Sequence, residues 1–308
     1  MTGGIHGARS GLVGEIFRLL DGGRTPWVVL ENVSFMLRLD GGRGMRFIIE
    51  AFEARGYRWA YRVVNTQGFL PQRRERVLFV ATRTDVDPAS VVLADEAEPK
   101  ILDTDLSRRA HGFYWTEGLR GLGWAVDAIP TLKNGSTIGI ASPPAILLPG
   151  GEVITPDIRD AERLQGFDVD WTSAAEQVAK PSSRWSLVGN AVSVPVAEWL
   201  GSRLREPGSY DNRRDASMSS TGSWPRAARF DGKQRHSVSI NDFPVWNERL
   251  PLHRFLDFPG KPLSARATRG FLGRTEKAKL RFPDGFQQRL RDHLMSMDSE
   301  TFFAVAAE

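Results

Sequence analysis

Apolar positions in the first hundred residues follow two alternating rhythms. In "RSGLVGEIFRLLDGG", Leu12, Ile16, Leu19 and Leu20 share one helical face and glycines close the segment, which predicts a helix. In "WVVLENV", the continuous run Trp27–Leu30 predicts a strand buried on both faces. "GRGMRFIIEAFEARG" predicts a second helix, stopped by Gly56, and "YRWAYRVVNTQGF" and "RRERVLFVATR" predict two further strands. Such alternation belongs to an α/β fold with a doubly wound sheet. The first strand stops at Glu31-Asn32, and in open α/β sheets ligand chemistry gathers outside the carboxyl ends of strands.

Three strands make an incomplete sheet. A parallel strand as apolar as Trp27–Leu30 needs neighbours on both sides, so the pattern predicts a part of a fold with an open edge. "LDGGRG" does not follow its strand directly and reads as a loop rather than a phosphate cradle. Residues 84–154 lose clean periodicity and are rich in Gly, Pro, Trp and Thr, as in a loop-built recognition surface. Helical pattern returns at "DIRDAERLQGF" and "AVSVPVAEWLGSRL", and "REPGSYDNRRDASMSSTGSWPR" reads as a linker. Two more helices are predicted near 263–275 and 284–297. The expected divisions are therefore 1–83, 84–154, 155–204, 205–226 and 227–308.

Composition narrows the chemistry. With 41% hydrophobic and 25% charged residues the chain is of ordinary globular type, with no apolar run near the ~18 residues of a membrane helix. No signal-peptide core is visible at the N-terminus, so a cytoplasmic protein without membrane contact is expected. The chain has no cysteine, which excludes disulfides, cysteine-ligated metals and a cysteine nucleophile within it. Its five histidines are scattered without ligand spacing, so no metal site is expected. Residues 201–308 hold 19 Lys/Arg against 13 Asp/Glu, a mild basic bias that hints at a polyanion.

In "PQRRERVLFVA", strand alternation would turn Gln72, Arg74 and Arg76 to one face. Two guanidiniums and an amide on one face suit phosphate or base-edge recognition, and a solvated, charged strand start suits the pattern equally. Order and combination add to this. "ENV", "QRRER", "RLQGF" and "GNAV" at residues 31–33, 72–76, 163–167 and 189–192 resemble, in family order, the C-terminal part of DNA cytosine-5 methyltransferases. The resemblance covers about residues 5–201, including the helix that precedes the Glu strand.

The resemblance implies a partial Rossmann-like fold of the S-adenosylmethionine-dependent methyltransferases, with a loop-rich target-recognition domain and a basic C-terminal extension. It implies transfer of a methyl group from S-adenosylmethionine to carbon 5 of a flipped cytosine in duplex DNA, in a restriction-modification setting. Glu31 matches the residue that contacts N3 of the base, Arg76 the one that contacts O2, and Arg74 a companion near the phosphate or catalytic loop. Asn190, Ala191 and Val192 match the segment that closes the cofactor pocket, and Leu12 a residue packed near the adenine. Arg9 and Ser10 would steady the backbone of the flipped nucleotide, with N-capping by Ser10 the plainer alternative. Thr131 and Lys133 are candidates for DNA contact, and Arg163 reads as structural.

The departures are as informative. The family's "FxGxG" cofactor loop and its "PC" loop with the nucleophile are both absent, and the chain starts where the latter would end. The implied protein is one subunit of a split enzyme, inactive alone. A complementary chain would supply both loops and complete the cofactor site in a heterodimer. Three other readings stay open: a non-catalytic DNA-binding pseudo-subunit, part of an RNA cytosine-5 methyltransferase, and a truncated form or fragment of a longer chain.

Overall fold

A computed structural model describes residues 12–23, 25–135, 143–218 and 223–306. The chain forms two compact units, one drawn from residues 1–65, 75–98 and 197–245, the other from 66–74, 99–196 and 246–308. The first unit opens with α1 (Leu12–Asp21), β1 (Trp27–Val33), α2 (Arg43–Glu53) and β2 (Arg58–Asn65). After β3 (Gln72–Arg73) in the second unit, β4 (Glu75–Thr82) and α3 (Ala89–Val92) return to the first. The second unit then builds β5 (His111–Phe113), β6 (Trp124–Val126), β7 (Ile129–Pro130), β8 (Ala145–Leu147) and β9 (Val153–Thr155). It continues with α4 (Ile158–Gln165) and α5 (Ser183–Asn190), and α6 (Val194–Arg205) leads back to the first. There β10 (Asp215–Ser217), β11 (Ala227–Phe230) and β12 (Arg235–Val238) follow, before α7 (Leu252–Phe255), β13 (Lys261–Pro262), α8 (Ala265–Thr275) and α9 (Phe286–Ala306) in the second.

The first sheet has the order β1-β4-β2-β11-β12-β10. Every pairing in it is antiparallel, which corrects the doubly wound expectation. Residues 66–74 join β2 to β4, fewer than the dozen or so a parallel crossover requires, so β4 returns alongside β2 in the opposite sense. β4 thereby separates β1 from β2. β1 is outermost, with no strand on its second edge among the described residues. It is half-buried instead of buried on both faces, with Val29 41% and Val33 46% exposed.

Helical spacing explains the layer over this sheet. Met45, Ile48, Ile49 and Phe52 of α2 are buried at i, i+3, i+4 and i+7. On α1 the inward stripe is Val13, Ile16, Phe17 and Leu20; Leu19 is 64% exposed, because one further residue rotates it ~100° off that stripe. Trp59, Tyr61 and Phe79 stack at centroid separations of 5.9 to 6.5 Å beneath these helices. Gly42 starts α2 with φ +82°, and a β-carbon there would lie 2.8 Å from the Trp224 ring, whose indole donates to the Gly42 carbonyl at 2.9 Å.

The expected linker 205–226 and the start of the expected extension thus belong to the first unit. β10 falls inside that linker, and β11 adds directly to the edge of β2. Arg62 of β2 is buried and donates to the Asn241 and Asp95 carbonyls at 2.7 and 2.6 Å, and burial pulls its pKa down to about 10.

In the second unit, β13-β9-β8-β5-β6 form an antiparallel sheet, and β3 pairs in parallel with β7. The region expected to be loop-built therefore carries short strands of two or three residues, too brief to show a period in the sequence. α4 is capped by Asp157, whose carboxylate accepts from the Arg159 N–H at 2.9 Å, and is ended by Gly166 at φ +93°.

Candidate active site

Two clusters carry the motif residues, each within its own unit. In the first, β1 and β4 are registered so that Glu31 lies opposite Leu78 and Val33 opposite Arg76. Strand alternation then sends Glu31 and Arg76 to the same face, where Arg76 Nε approaches Glu31 Oε1 at 2.9 Å. The contact is an ion pair without hydrogen-bond alignment: Glu31 Oε1 is buried and receives no hydrogen bond from the described residues. A buried carboxylate oxygen with unused acceptor capacity is a place where a further donor or proton can be held. Arg76 Nη1 donates to the Glu75 carbonyl at 2.8 Å, which fixes the guanidinium at the start of β4.

Beside Glu31 lies a cavity of about 200 Å³, lined by Val13, Ile16, Leu30, Met36, Val77 and Phe79 among others. Its walls are apolar apart from Glu31 and Asn32. Leu12 is the first residue of α1, one before Val13; its side chain lies outside the described residues, as do Arg9 and Ser10.

The second cluster joins the remaining motifs. Arg74, 2% exposed, donates to the carbonyls of Leu132 at 2.9 Å, Gly189 at 3.3 Å and Ala191 at 2.7 Å. β3 and β4 are separate strands that break at this residue, so the alternation expected to turn Gln72, Arg74 and Arg76 to one face does not run through it. Gln72 donates to Leu164 O and Gln165 Oε1 at 2.8 and 2.7 Å, and accepts from Leu132 N–H at 3.0 Å. Gln165 in turn donates to Ala191 O at 2.6 Å.

Gly189 is required by close approach: a β-carbon there would lie 2.2 Å from the Lys133 carbonyl carbon. Asn190 and Val192 are left exposed at the end of α5, while the Ala191 carbonyl is fixed from two sides. Thr131 donates through Oγ1 to the Arg73 carbonyl at 2.8 Å. Lys133 pairs with Glu117 at 3.2 Å and sits 3.8 Å from the Tyr114 ring centroid. Arg163 bonds Asp160 at 2.7 Å and the Phe255 carbonyl at 2.6 Å, which is a scaffold role.

Gln165 and Gly189 are site-building residues missed as individuals by sequence reading, although both stand inside quoted motifs. Glu162 and Arg184 were also missed. Glu162 is fully buried, accepts from Asp170 and Thr172 N–H at 2.7 and 2.8 Å, and pairs with Arg184 at 3.0 Å. Burial opposes the charge on Arg184, yet its bonds to Glu162, Glu176 and Asp170 raise its pKa above the usual value. Among the described residues no group of three or more metal-ligating side chains is present, and no helix is long and apolar enough to cross a membrane.

Residues 2–121 match the C-5 cytosine-specific DNA methylase family. The Type II methyltransferase M2.BsuMI of Bacillus subtilis (strain 168) is 44% identical over 288 residues, covering 89% of this chain and 73% of the relative. M.NgoBI of Neisseria gonorrhoeae, also a Type II methyltransferase, is 28% identical over 224 residues, 63% of this chain and 66% of the relative. M.BspRI of Lysinibacillus sphaericus, of the same description, is 47% identical over 60 residues, 19% of this chain and 14% of the relative. The chain belongs to the cytosine-5 DNA methyltransferase family, whose methyl donor is S-adenosylmethionine.

Proposed function

We propose that this chain is the acid- and arginine-bearing subunit of a two-chain DNA cytosine-5 methyltransferase. A single observation carries the reading: beside Arg76, on the outermost strand of the first sheet, Glu31 holds a buried carboxylate oxygen that has no hydrogen-bond donor among the described residues.

Carbon 5 of cytosine is a weak nucleophile. Addition of a thiolate at carbon 6 makes carbon 5 electron-rich, and negative charge builds at N3 and O2. The Glu31 carboxyl shares a proton with N3 as that charge develops, and Arg76 stabilises O2. S-adenosylmethionine supplies an electrophilic methyl sulfonium when bound. Arg74 acts at one remove, by fixing the Gly189 and Ala191 carbonyls of the segment that carries Asn190 and Val192. The apolar cavity lined by Val13 and Ile16 fits an apolar portion of that cofactor and no more, since it contains no second acid for a ribose. The thiolate and the rest of the cofactor site come from a complementary chain, for this one has no cysteine.

The open edge of β1 supports such a partner. A strand added there would satisfy the unpaired backbone groups and cover Val29 and Val33, within an interface of obligate scale, commonly above ~2,000 Å². The test is transfer of a labelled methyl group to duplex DNA, by the chain alone and by the chain co-purified with the product of the neighbouring upstream frame. Activity in the mixture alone is the expected result. Transfer by this chain unaided, or by a mixture in which Glu31→Gln leaves the rate unchanged, overturns the reading.

A further inference from the structure

The C-terminal segment is bound tightly into the second unit. β13 extends the recognition sheet by pairing with β9, and Leu263, Phe271 and Phe286 are buried in one core with Phe113 of β5. Phe113 stacks on Phe271 at 4.5 Å and meets Phe286 edge-on at 5.3 Å, while Phe282 stacks on Phe286 at 4.9 Å. The connection between α8 and α9, residues 276–285, is thus pinned to the strand that starts the β5–β6 hairpin. The hairpin loop is tied to the same connection from its other side. Trp124 donates through its indole to the Arg281 carbonyl at 2.9 Å, and Arg274 donates to the Trp115 carbonyl.

Lys277, Lys279 and Arg281 project from this rigid connection and are exposed, without a salt bridge among the described residues. The acid between α8 and Lys277, Glu276, is already paired with Arg291 at 2.9 Å. On the hairpin's other flank, exposed Arg73 reaches over Gly123, where a β-carbon would lie 3.9 Å from its Nη2, and Lys133 covers Tyr114. A glycine-rich loop with Leu119 and Arg120 exposed at its tip is therefore bordered by Lys277, Lys279 and Arg281 on one side and by Arg73 on the other, while Lys133 is neutralised by Glu117.

We propose that Lys277, Lys279 and Arg281 bind the phosphate backbone of duplex DNA while the Tyr114–Gly123 loop lies against it, so that the C-terminal segment is a working part of target recognition. The assignment rests on DNA being the substrate, as proposed above. Fixed cations on both flanks of an exposed loop match how proteins set their register on a duplex: phosphate contacts position the element, and carry no sequence information themselves. Each phosphate neutralised adds about 0.9 to the slope of log affinity against log salt.

The test measures binding of a labelled 30-base-pair duplex by anisotropy between about 50 and 200 mM salt, for the full chain alone and with its co-purified partner. One variant carries Lys277→Gln, Lys279→Gln and Arg281→Gln; its fold is expected to persist, since Trp124 uses only the backbone of Arg281. A control with the same charge change carries Arg205→Gln, Arg213→Gln and Lys233→Gln in the first unit. The expected result is a roughly 10–100-fold loss of affinity and a slope smaller by about 3 in the first variant only, equal on every DNA sequence. Equal effects of the two variants, or none, overturn the proposal and leave the methyltransferase reading intact. Absence of duplex binding by the unsubstituted protein in both preparations overturns the DNA reading and this proposal with it.

Discussion

Arg74 and Arg76 stand two residues apart in one motif and have opposite fates. In the first unit Arg76 remains partly exposed and faces a carboxylate whose buried oxygen lacks a hydrogen-bond donor among the described residues. In the second unit Arg74 is buried and binds three backbone carbonyls. The break between β3 and β4 lies at Arg74, so the alternation that would align the two side chains does not run through it. A motif is thus a shared address for unlike surroundings: one cation paired with a carboxylate across two strands, the other bound to backbone carbonyls.

The largest effect expected along this divide is on rate. Glu31→Gln in the methylation-competent assembly should lose about 10²–10⁴ in turnover and keep DNA binding, measured by single-turnover methyl transfer beside anisotropy. Arg76→Met should follow, with a rate loss of roughly 10–10³ and a stability change within about 1 kcal/mol, since its ion pair is partly exposed. Arg74→Met should do the reverse. Buried carbonyls would lose their donor at a cost of about 2–4 kcal/mol, read from the urea midpoint. A stable Arg74→Met protein that has lost only turnover would break the comparison, by making both arginines catalytic.

Gly189→Ala sharpens it further. The added methyl meets the backbone of Lys133, so a loss of about 1–3 kcal/mol is expected with Glu31 and Arg76 untouched. The smallest effect concerns acid stability in the turn between β11 and β12. Burial pushes Asp231 upward, but the N–H groups of Gln234 and Lys233 and the His236 ring outweigh it and hold the carboxyl at about 2. Its folded pKa is depressed, so the stabilisation is full above the ordinary value of 3.8 and is lost as pH falls towards about 2. Urea titrations between pH 5 and 2 should show this slope, and Asp231→Asn should flatten it.

In the first unit α1, α2, β1, β2 and β4 were legible because each exceeds the length at which a period becomes visible, whereas α3 and β10 to β12, of three or four residues, were not. β2 and β4 run eight residues each, and α2 repeats its apolar positions over three turns. Strand direction was not legible, since it depends on the short connection 66–74 rather than on any strand's own pattern. The five-stranded sheet of the second unit was hidden for a related reason: strands of two or three residues are specified by what they pack on, Phe113 against Phe271 for one. Of the site, Glu31 and Arg76 were visible as residue types at a strand end. The part played by Gln165 and Gly189 was not, because hydrogen bonds to carbonyls 26 and more residues away leave no local mark.

The pairing of β11 with β2 sets a schedule for biosynthesis. At about 5–20 residues per second, the stretch from the end of β4 to the start of β11 takes roughly 7–30 s to emerge. Throughout that interval the nascent sheet has β1 open on one side and β2 open on the other. The edge of β2 is covered only late, when β11 and then β12 are added. A cell making the protein must therefore shield two strand edges at once, and a slowdown in translation between residues 82 and 227 should show as chaperone retention or aggregation before any loss of intrinsic stability.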